Sequence, residues 1–240
     1  MMAANCSLTF MEKKFGKTIR YQEPQQAKVA GRAATAIEVE QHIETHFGEP
    51  GLVIHELTSQ YVHIDVHVLS PGAGREYHTL ITSGMSDKPM QAPAGVEGCN
   101  YAELMLCLPA RWQMKPYDVL TREKDWPVLW LNQLARFPHA YDTWLFWGHS
   151  VPNGDPPAAL APETALCGWV LLEPKLVKDE FKIMKRADGG KTWFLAAVPV
   201  YREEMDLKLA DGAEALEELF AAAGVTELID PQRRNVALRQ

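Results

Sequence analysis

Hydrophobic and polar residues alternate most regularly between Tyr61 and Leu69. A period of two predicts a β-strand that turns its apolar side chains to one face and its polar side chains to the other. The apolar positions are Val62, Ile64, Val66 and Val68, and the polar positions are His63, Asp65 and His67. A turn at Pro71–Gly74 and a second apolar run over Tyr77–Thr82 predict that this strand forms a hairpin with the next one.

Apolar residues at helical spacing predict four helices. The second opens with an Asp cap and an early proline at Asp125–Pro127, and Pro138 is expected to end it. Asp211 and Glu214 have capping-box spacing at the start of the last helix, which Gly224 closes. The helices are expected at about Thr35–Phe47, Trp126–Phe137, Arg202–Leu209 and Gly212–Ala222.

The remaining strands alternate with these helices in no regular order. They are expected at Leu52–Leu57, Tyr101–Leu108, Leu145–Trp147, Cys167–Leu172 and Trp193–Val200, with a short strand near Thr18–Tyr21. This order predicts an α+β fold in which helices pack on a mixed, mainly antiparallel sheet. We expect a domain at residues 35–224, between an N-terminal segment (1–34) whose order the sequence leaves open and a C-terminal tail (225–240).

The charge of the chain narrows the choice of partners. Its 240 residues include 24 Lys and Arg against 31 Asp and Glu, for a formal charge of −7. Nucleic-acid binding rests on clustered basic residues, so we expect no nucleic-acid partner. No apolar stretch reaches the roughly 18–20 residues that span a bilayer, and the start lacks the layout of a signal peptide. We therefore expect a cytoplasmic protein with no membrane partner, whose four cysteines are buried thiols.

Motifs of catalysis are scarce, since the chain has no GxxxxGK[ST] loop and no GxSxG elbow. His63, Asp65 and His67 share one face of the predicted strand and could bind zinc or iron. His55 and His78 could add ligands from neighbouring strands. The same alternation is typical of any half-solvated strand. We therefore expect no catalytic residue, metal or cofactor, and keep a metal site or metal-dependent enzyme as the alternative.

Five aromatic residues lie close together in the sequence: Trp126, Trp130, Trp144, Phe146 and Trp147. The two on the predicted helix are expected in the core. Trp144 and Trp147 border a Pro-rich loop, and aromatic residues at such edges are favoured anchors for protein partners. The turn Thr82–Pro89 places Asp87 at a strand end, either as a turn cap or as a functional residue.

Several motifs resemble the Suppressor of fused domain and follow one another in that family's order. They are the strand and turn Tyr77–Asp87, the acidic strand Tyr101–Pro109, the Trp-Pro helix Trp126–Arg136, the stretch Trp147–Ser150, and the strand and helix start Trp193–Met205. The resemblance covers about residues 35–222.

The resemblance implies an α+β domain without known enzymatic activity that binds a protein partner. In animals the family's best-known member sequesters a transcription factor by holding a short extended peptide, partly by added-strand pairing. Because this chain stops near the end of the first domain, it resembles the shorter bacterial members, which are associated with toxin systems as immunity proteins. The expected partner is then a basic toxin domain or an extended peptide, and the acidic charge suits a basic partner. The oligomeric state stays open.

The same resemblance also marks individual positions as candidates for a partner surface. These positions are Asp87, Glu103, Trp147 and His149.

Overall fold

The computed structural model describes residues 34–56, 61–72, 74–96 and 98–238. Within these residues the chain forms four α-helices, α1 (Ala34–Phe47), α2 (Trp126–Ala140), α3 (Arg202–Asp211) and α4 (Ala213–Ala223). It also forms eight strands, β1 (Leu52–Ile54), β2 (Asp65–Leu69), β3 (Tyr77–Ser83), β4 (Ala102–Pro109), β5 (Ser150–Pro152), β6 (Gly168–Leu172), β7 (Ile183–Lys185) and β8 (Lys191–Val200). The strand expected near Thr18–Tyr21 lies outside the described residues.

The strands form one sheet in the order β1-β2-β3-β4-β8-β6-β5, and β7 pairs with the start of β8. Only β4 and β8 run parallel among these described pairs. The predicted hairpin is β2–β3, with Val66 opposite Thr82 and Val68 opposite Leu80. The predicted α+β fold with a mixed, mainly antiparallel sheet is confirmed.

Both faces of the sheet are buried under helices. On β4, Leu104 and Leu106 belong to a core that includes residues of α2, while Met105 and Cys107 belong to a second core. The second core is closed by α1 and by the short 3₁₀ helix Asp179–Phe181. Strands buried on both faces are apolar on both, which is why β4 reads as a continuous apolar run broken by one polar residue.

The polar face of β2 is therefore not a solvent-exposed face. Asp65 and His67 are each 1% exposed, and α1 places Glu40 3.8 Å from His67. The predicted strand is confirmed over Asp65–Leu69, whereas residues 61–64 lie outside it. The interpretation as a half-solvated strand is wrong, because all five residues of β2 are buried and α1 lies against His67.

The segment expected to form a strand at Leu145–Trp147 folds into a turn instead. The Phe146 N–H donates to the His149 ring at 3.3 Å, and the His149 N–H donates to the Phe146 carbonyl at 3.1 Å. These local bonds use the groups of Phe146 that a strand would need for a ladder. Backbone bonds to β6 begin at Gly148 and His149, just before β5.

Two expected helix boundaries also differ from the structure. Pro138 lies inside the last turn of α2, where its missing N–H removes a single helical bond and the helix continues to Ala140. Asp211 is the last residue of α3 and does not cap α4, which begins after Gly212 with no side-chain cap. The helix that has such a capping bond is α3, where the Glu204 carboxylate accepts from the Tyr201 N–H at 3.0 Å.

Residues 225–238 return to the sheet. The Cys107 N–H donates to the Glu227 carbonyl at 2.8 Å, and the Ile229 N–H donates to the Cys107 carbonyl at 2.9 Å. Ile229 is fully buried. This segment fills the position beside β4 from which β8 diverges after its short parallel pairing.

Three of the cysteines, Cys99, Cys107 and Cys167, are buried, as expected; Cys6 lies outside the described residues. Among the helices of the described segments, none is long and apolar enough to span a membrane.

Candidate functional site

The centre of the candidate site is the turn that follows β3, residues 83–88, which we call the Gly84 turn. Gly84 has φ of +108°, and a short 3₁₀ helix continues over Met85–Asp87. A Cβ at Gly84 would lie 1.8 Å from the carbonyl oxygen of His63. The close approach and the positive φ together allow only glycine at this position of the turn.

Glu103 of β4 lies beneath the Gly84 turn and is completely buried. Its Oε1 accepts hydrogen bonds from the Gly84 N–H at 3.0 Å, the Ser86 N–H at 2.9 Å and the Ser86 hydroxyl at 2.7 Å. Its Oε2 accepts from the Thr82 hydroxyl at 2.6 Å, and that hydroxyl accepts from the Leu104 N–H at 2.8 Å. One carboxylate thus holds the turn and the point at which β3 and β4 separate.

Burial sets the protonation of this carboxyl group. Desolvation raises the pKa of Glu103 from 4.5 to about 7, against the hydrogen bonds from Thr82 and Ser86, which lower it. The nearby charge of Asp87 raises it further. Because Oε1 already accepts three donors, a proton would sit on Oε2 and be shared with the Thr82 hydroxyl. The turn is therefore held by a group that can titrate near neutral pH.

Two further side chains bond to the Gly84 turn. His139 of α2 donates from Nε2 to the Met85 carbonyl at 2.8 Å. Arg186, in the loop between β7 and β8, donates to the Ser86 carbonyl at 3.1 Å and stacks on Tyr101 at 3.8 Å. These contacts come from distant parts of the chain and have no local sequence pattern, which explains why sequence reasoning missed them.

A cleft opens beside the turn, between it and the C-terminal end of α2. Its volume is about 330 Å³. Lys88, His139 and Asp142 contribute polar groups to its lining, and Tyr61, Pro89 and Pro138 contribute much of the rest. The Lys88 ammonium donates to the Tyr61 carbonyl at 2.6 Å. This bond links the Gly84 turn to Tyr61 across the lining of the cleft.

The structure brings together two of the four residues predicted for a partner surface. Asp87 lies on the Gly84 turn, half-buried, and its charge acts on Glu103 directly below. Glu103 itself has no exposed surface. Of this pair, Asp87 is the residue that a partner could touch, and Glu103 positions it.

Trp147 and His149 lie elsewhere, in the loop against α4. Trp147 is 5% exposed and hydrogen-bonds to Glu217 of α4. The His149 ring packs edge-on against Trp144 at 4.5 Å, and burial lowers the pKa of His149 to about 4. Both side chains hold the loop together; the Trp147 ring presents little surface, and His149 is half-buried.

The residues of the metal alternative do not all meet. His63 Nε2 and His55 Nδ1 lie 3.0 and 3.2 Å from Asp65 Oδ1. His67 Nε2 instead lies 2.8 Å from the Ser83 hydroxyl, and His78 Nε2 lies 3.3 Å from the Ala110 carbonyl. Over the described parts of the chain, no group of three or more His, Cys, Asp or Glu side chains is placed to hold a metal ion. Ser83 and His67 are each 1% exposed, so a substrate could not reach that hydroxyl.

Comparison with known proteins places this geometry in context. The family model described as Suppressor of fused protein (SUFU) matches residues 60–234, which include the Gly84 turn, Glu103 and the segment after α4 up to residue 234. A search of curated proteins finds no match.

Three solved structures share the fold. A SUFU homolog from Neisseria gonorrhoeae is 16% identical, with a TM-score of 0.60, over 86% of this chain and 98% of that one. A chain of a Sufu–Fu complex is 14% identical, with a TM-score of 0.58, over 90% of this chain and 93% of that one. Drosophila Suppressor of Fused is 12% identical, with a TM-score of 0.55, over 90% of this chain and 52% of that protein.

Proposed function

The chain belongs to the Suppressor of fused family, and from that membership we propose that it is a non-enzymatic domain that binds a protein partner through the Gly84 turn. The single observation that carries this proposal is the way the turn is built. A fully buried carboxylate, that of Glu103, fixes a turn in which residues 83–86 are buried, Asp87 is half-buried and Lys88 is exposed. Rigid presentation lowers the entropy lost on binding, which favours recognition of a partner.

The comparisons support a protein as the partner. One structure that shares the fold is that of a Sufu–Fu complex. The formal charge of −7 favours a basic partner, because opposite charges speed association and suppress wrong pairings. We propose that the domain neutralises a basic protein, in the manner of an immunity protein that blocks a toxin domain in the cytoplasm.

The four predicted residues take different parts in this proposal. Asp87 makes the direct contact, and Glu103 keeps it in place from below. Trp147 and His149 act through the loop that they hold, since a ring that is 5% exposed offers a partner little contact area. Their effect on binding would therefore be indirect and smaller than that of Asp87.

Affinity purification of the tagged full chain from its source cells tests the proposal. Wild-type protein is compared with two variants, Asp87→Ala and Asp211→Ala. Asp211 is an exposed acid at the end of α3, so its replacement removes the same charge at another site and serves as the control. We expect wild-type protein and Asp211→Ala to retain the same stoichiometric, basic partner and Asp87→Ala to lose most of it.

Two results would count against the proposal. Equal retention by all three proteins would exclude the Gly84 turn as the interface. A wild-type preparation that carries no protein in stoichiometric amount, under low-salt conditions that preserve ionic contacts, would remove the support for a binding function altogether.

A further inference from the structure

The hairpin of β7 and β8 places two lysines directly opposite each other. Lys185 of β7 is the register partner of Lys191 of β8, and both residues are exposed. Neither lysine forms an ion pair with a residue that the structure describes. Like charges at facing positions destabilise a pair of strands, whereas opposite charges stabilise it. The free chain therefore carries an unfavourable pair of charges on this hairpin.

Protection of the sheet edge explains only one of these two lysines. Among the described strands, β7 pairs with β8 alone, and a lysine on such an edge strand discourages pairing with another chain. Lys191 instead belongs to β8, an interior strand that also pairs with β4 and β6. Departures from a rule of sheet stability that bring no structural gain are typical of functional sites.

An apolar pair lies beside the two lysines. Ile183 is the register partner of Trp193. Each lies two residues from a lysine of the facing pair, and alternation along the strands puts all four side chains on one face. Met184, between Ile183 and Lys185, belongs to the second core instead. We call Ile183, Lys185, Lys191 and Trp193 the lysine face; within it, Ile183 is 36% exposed and Trp193 is half-buried.

The Trp193 ring is fixed by its neighbours. Its indole N–H donates to the Gly98 carbonyl at 2.8 Å, and Phe146 packs edge-on against the ring at 5.4 Å. An aromatic ring that is already fixed loses little entropy on binding, and aromatic residues are frequent anchors of protein interfaces. The lysine face thus offers two cations next to a small preformed apolar surface.

We propose that the lysine face binds an acidic segment of a protein partner, whose carboxylates pair with the two lysines and whose neighbouring apolar side chain packs on Ile183 and Trp193. Charge complementarity selects this occupant, because a carboxylate between the two ammonium groups replaces repulsion by attraction. The apolar contact favours a polypeptide over a free phosphate ion. The inference is independent of the proposed function, since it rests on other residues.

The test uses the full chain and two defined peptides. Nitrogen-15-labelled protein is titrated at low ionic strength with acetyl-Asp-Glu-Leu-Asp-Glu-amide, and separately with acetyl-Asn-Gln-Leu-Asn-Gln-amide, which has the same shape without the charges. With the acidic peptide we expect saturable shifts of the backbone signals of Lys185 and Lys191 and of the Trp193 indole N–H. The neutral peptide should bind at least about tenfold more weakly, and so should inorganic phosphate.

Two double variants distinguish this face from a general effect of charge, since each removes two positive charges. We expect Lys185→Gln with Lys191→Gln to weaken the acidic peptide at least about tenfold. Arg122→Gln with Lys124→Gln, at exposed positions of the loop before α2, should leave the affinity unchanged.

Single variants test the repulsion in the free chain. At low salt, Lys191→Gln should unfold at a higher temperature than Lys124→Gln, because it removes one of two facing like charges. The difference should shrink at high salt, which screens exposed charges.

Four results would each overturn the inference: equal binding of the two peptides, equally tight binding of inorganic phosphate, an unaffected Lys185→Gln and Lys191→Gln double variant, or shifts confined to another surface. An unfolding temperature of Lys191→Gln no higher than that of Lys124→Gln would do the same. A dimer of the chain that dissociates in the double variant would assign the lysine face to a second copy and overturn the proposed occupant.

Discussion

The carboxylate of Glu103 accepts hydrogen bonds from both the backbone N–H and the hydroxyl of Ser86, at 2.9 and 2.7 Å. One side chain of β4 therefore fixes one residue of the Gly84 turn at two points. Charge-assisted bonds of this kind are stronger than neutral ones, and the cost of removing the acceptor is larger still, because the donors stay buried.

Replacement of Glu103 separates the role of its charge from that of its shape. Glu103→Ala leaves the donors of Thr82, Gly84 and Ser86 unmatched, and we expect a loss of about 4 kcal/mol or more in the free energy of unfolding. Glu103→Gln retains an acceptor oxygen of the same shape and should cost about 1 kcal/mol. Urea denaturation measures both. The exposed acid Glu218 is the control, and its replacement by Ala should change stability by less than about 0.5 kcal/mol.

The raised pKa of Glu103 makes stability depend on pH. In the folded protein the pKa is about 7, against 4.5 as the ordinary value, so the folded state holds the proton more tightly than the unfolded chain. The stabilisation from this group is complete below about pH 4.5 and is lost as the pH rises through about 7, with a total of about 3 kcal/mol.

Denaturation curves at several pH values, for wild-type protein and Glu103→Gln, measure this contribution as the difference between the two. The difference should change steadily in favour of Glu103→Gln between pH 5 and pH 8. A difference that stays constant with pH would show that Glu103 keeps one protonation state throughout.

Gly84 should tolerate no side chain. We expect Gly84→Ala to lose more than about 3 kcal/mol, because the new Cβ would meet the His63 carbonyl and the backbone has φ of +108°. Gly189→Ala is the matched control: it has a φ of +84° and open space around the new Cβ, so it reports the strain of the backbone alone, about 1–2 kcal/mol. Equal losses in the two variants would refute the close approach to His63.

The segment after α4 is anchored by one buried ion pair. Arg233 donates to both carboxylate oxygens of Glu204, which is fully buried, and to the Pro199 carbonyl. Arg233→Ala leaves Glu204 buried without this partner, and we expect a loss of about 3–5 kcal/mol.

An exposed ion pair provides the comparison for Arg233. Arg202 and Asp206 lie 3.9 Å apart on the surface of α3, with both side chains more than half exposed. Arg202→Ala should change the unfolding free energy by less than about 0.5 kcal/mol. Thermal and urea unfolding of the two variants side by side measures the contrast, and similar losses would show that the buried pair adds no more than a surface pair.

Much of the fold could be predicted from the sequence because the relevant forces are local. The period of two in β2 and the helical spacing in α2 each identify an element without knowledge of the rest of the chain. The exposure of β2 could not be predicted, because whether His67 meets water depends on α1, which covers it. The same limit applies to Leu145–Trp147, where a side-chain contact from His149 turns the chain.

In the candidate site, too, local features could be predicted from the sequence and contacts between distant segments could not. Glu103 and Asp87 were identified by resemblance, and the positive φ of Gly84 is typical of a glycine at such a turn. The cleft could not be predicted, because Tyr61, Lys88 and His139 are far apart in sequence and meet only after α2 packs beside the turn. Trp147 illustrates the opposite error, since an aromatic residue at a loop edge suggested an exposed anchor and the ring is instead packed against α4.

The most direct test of the account is hydrogen–deuterium exchange of the full chain with and without the partner that it retains. If the Gly84 turn forms the interface, exchange should slow in peptides that cover residues 83–91, and the α4 region should be unchanged. Protection confined to α4 or to the loop that holds Trp147, with no change at residues 83–91, would contradict the central claim.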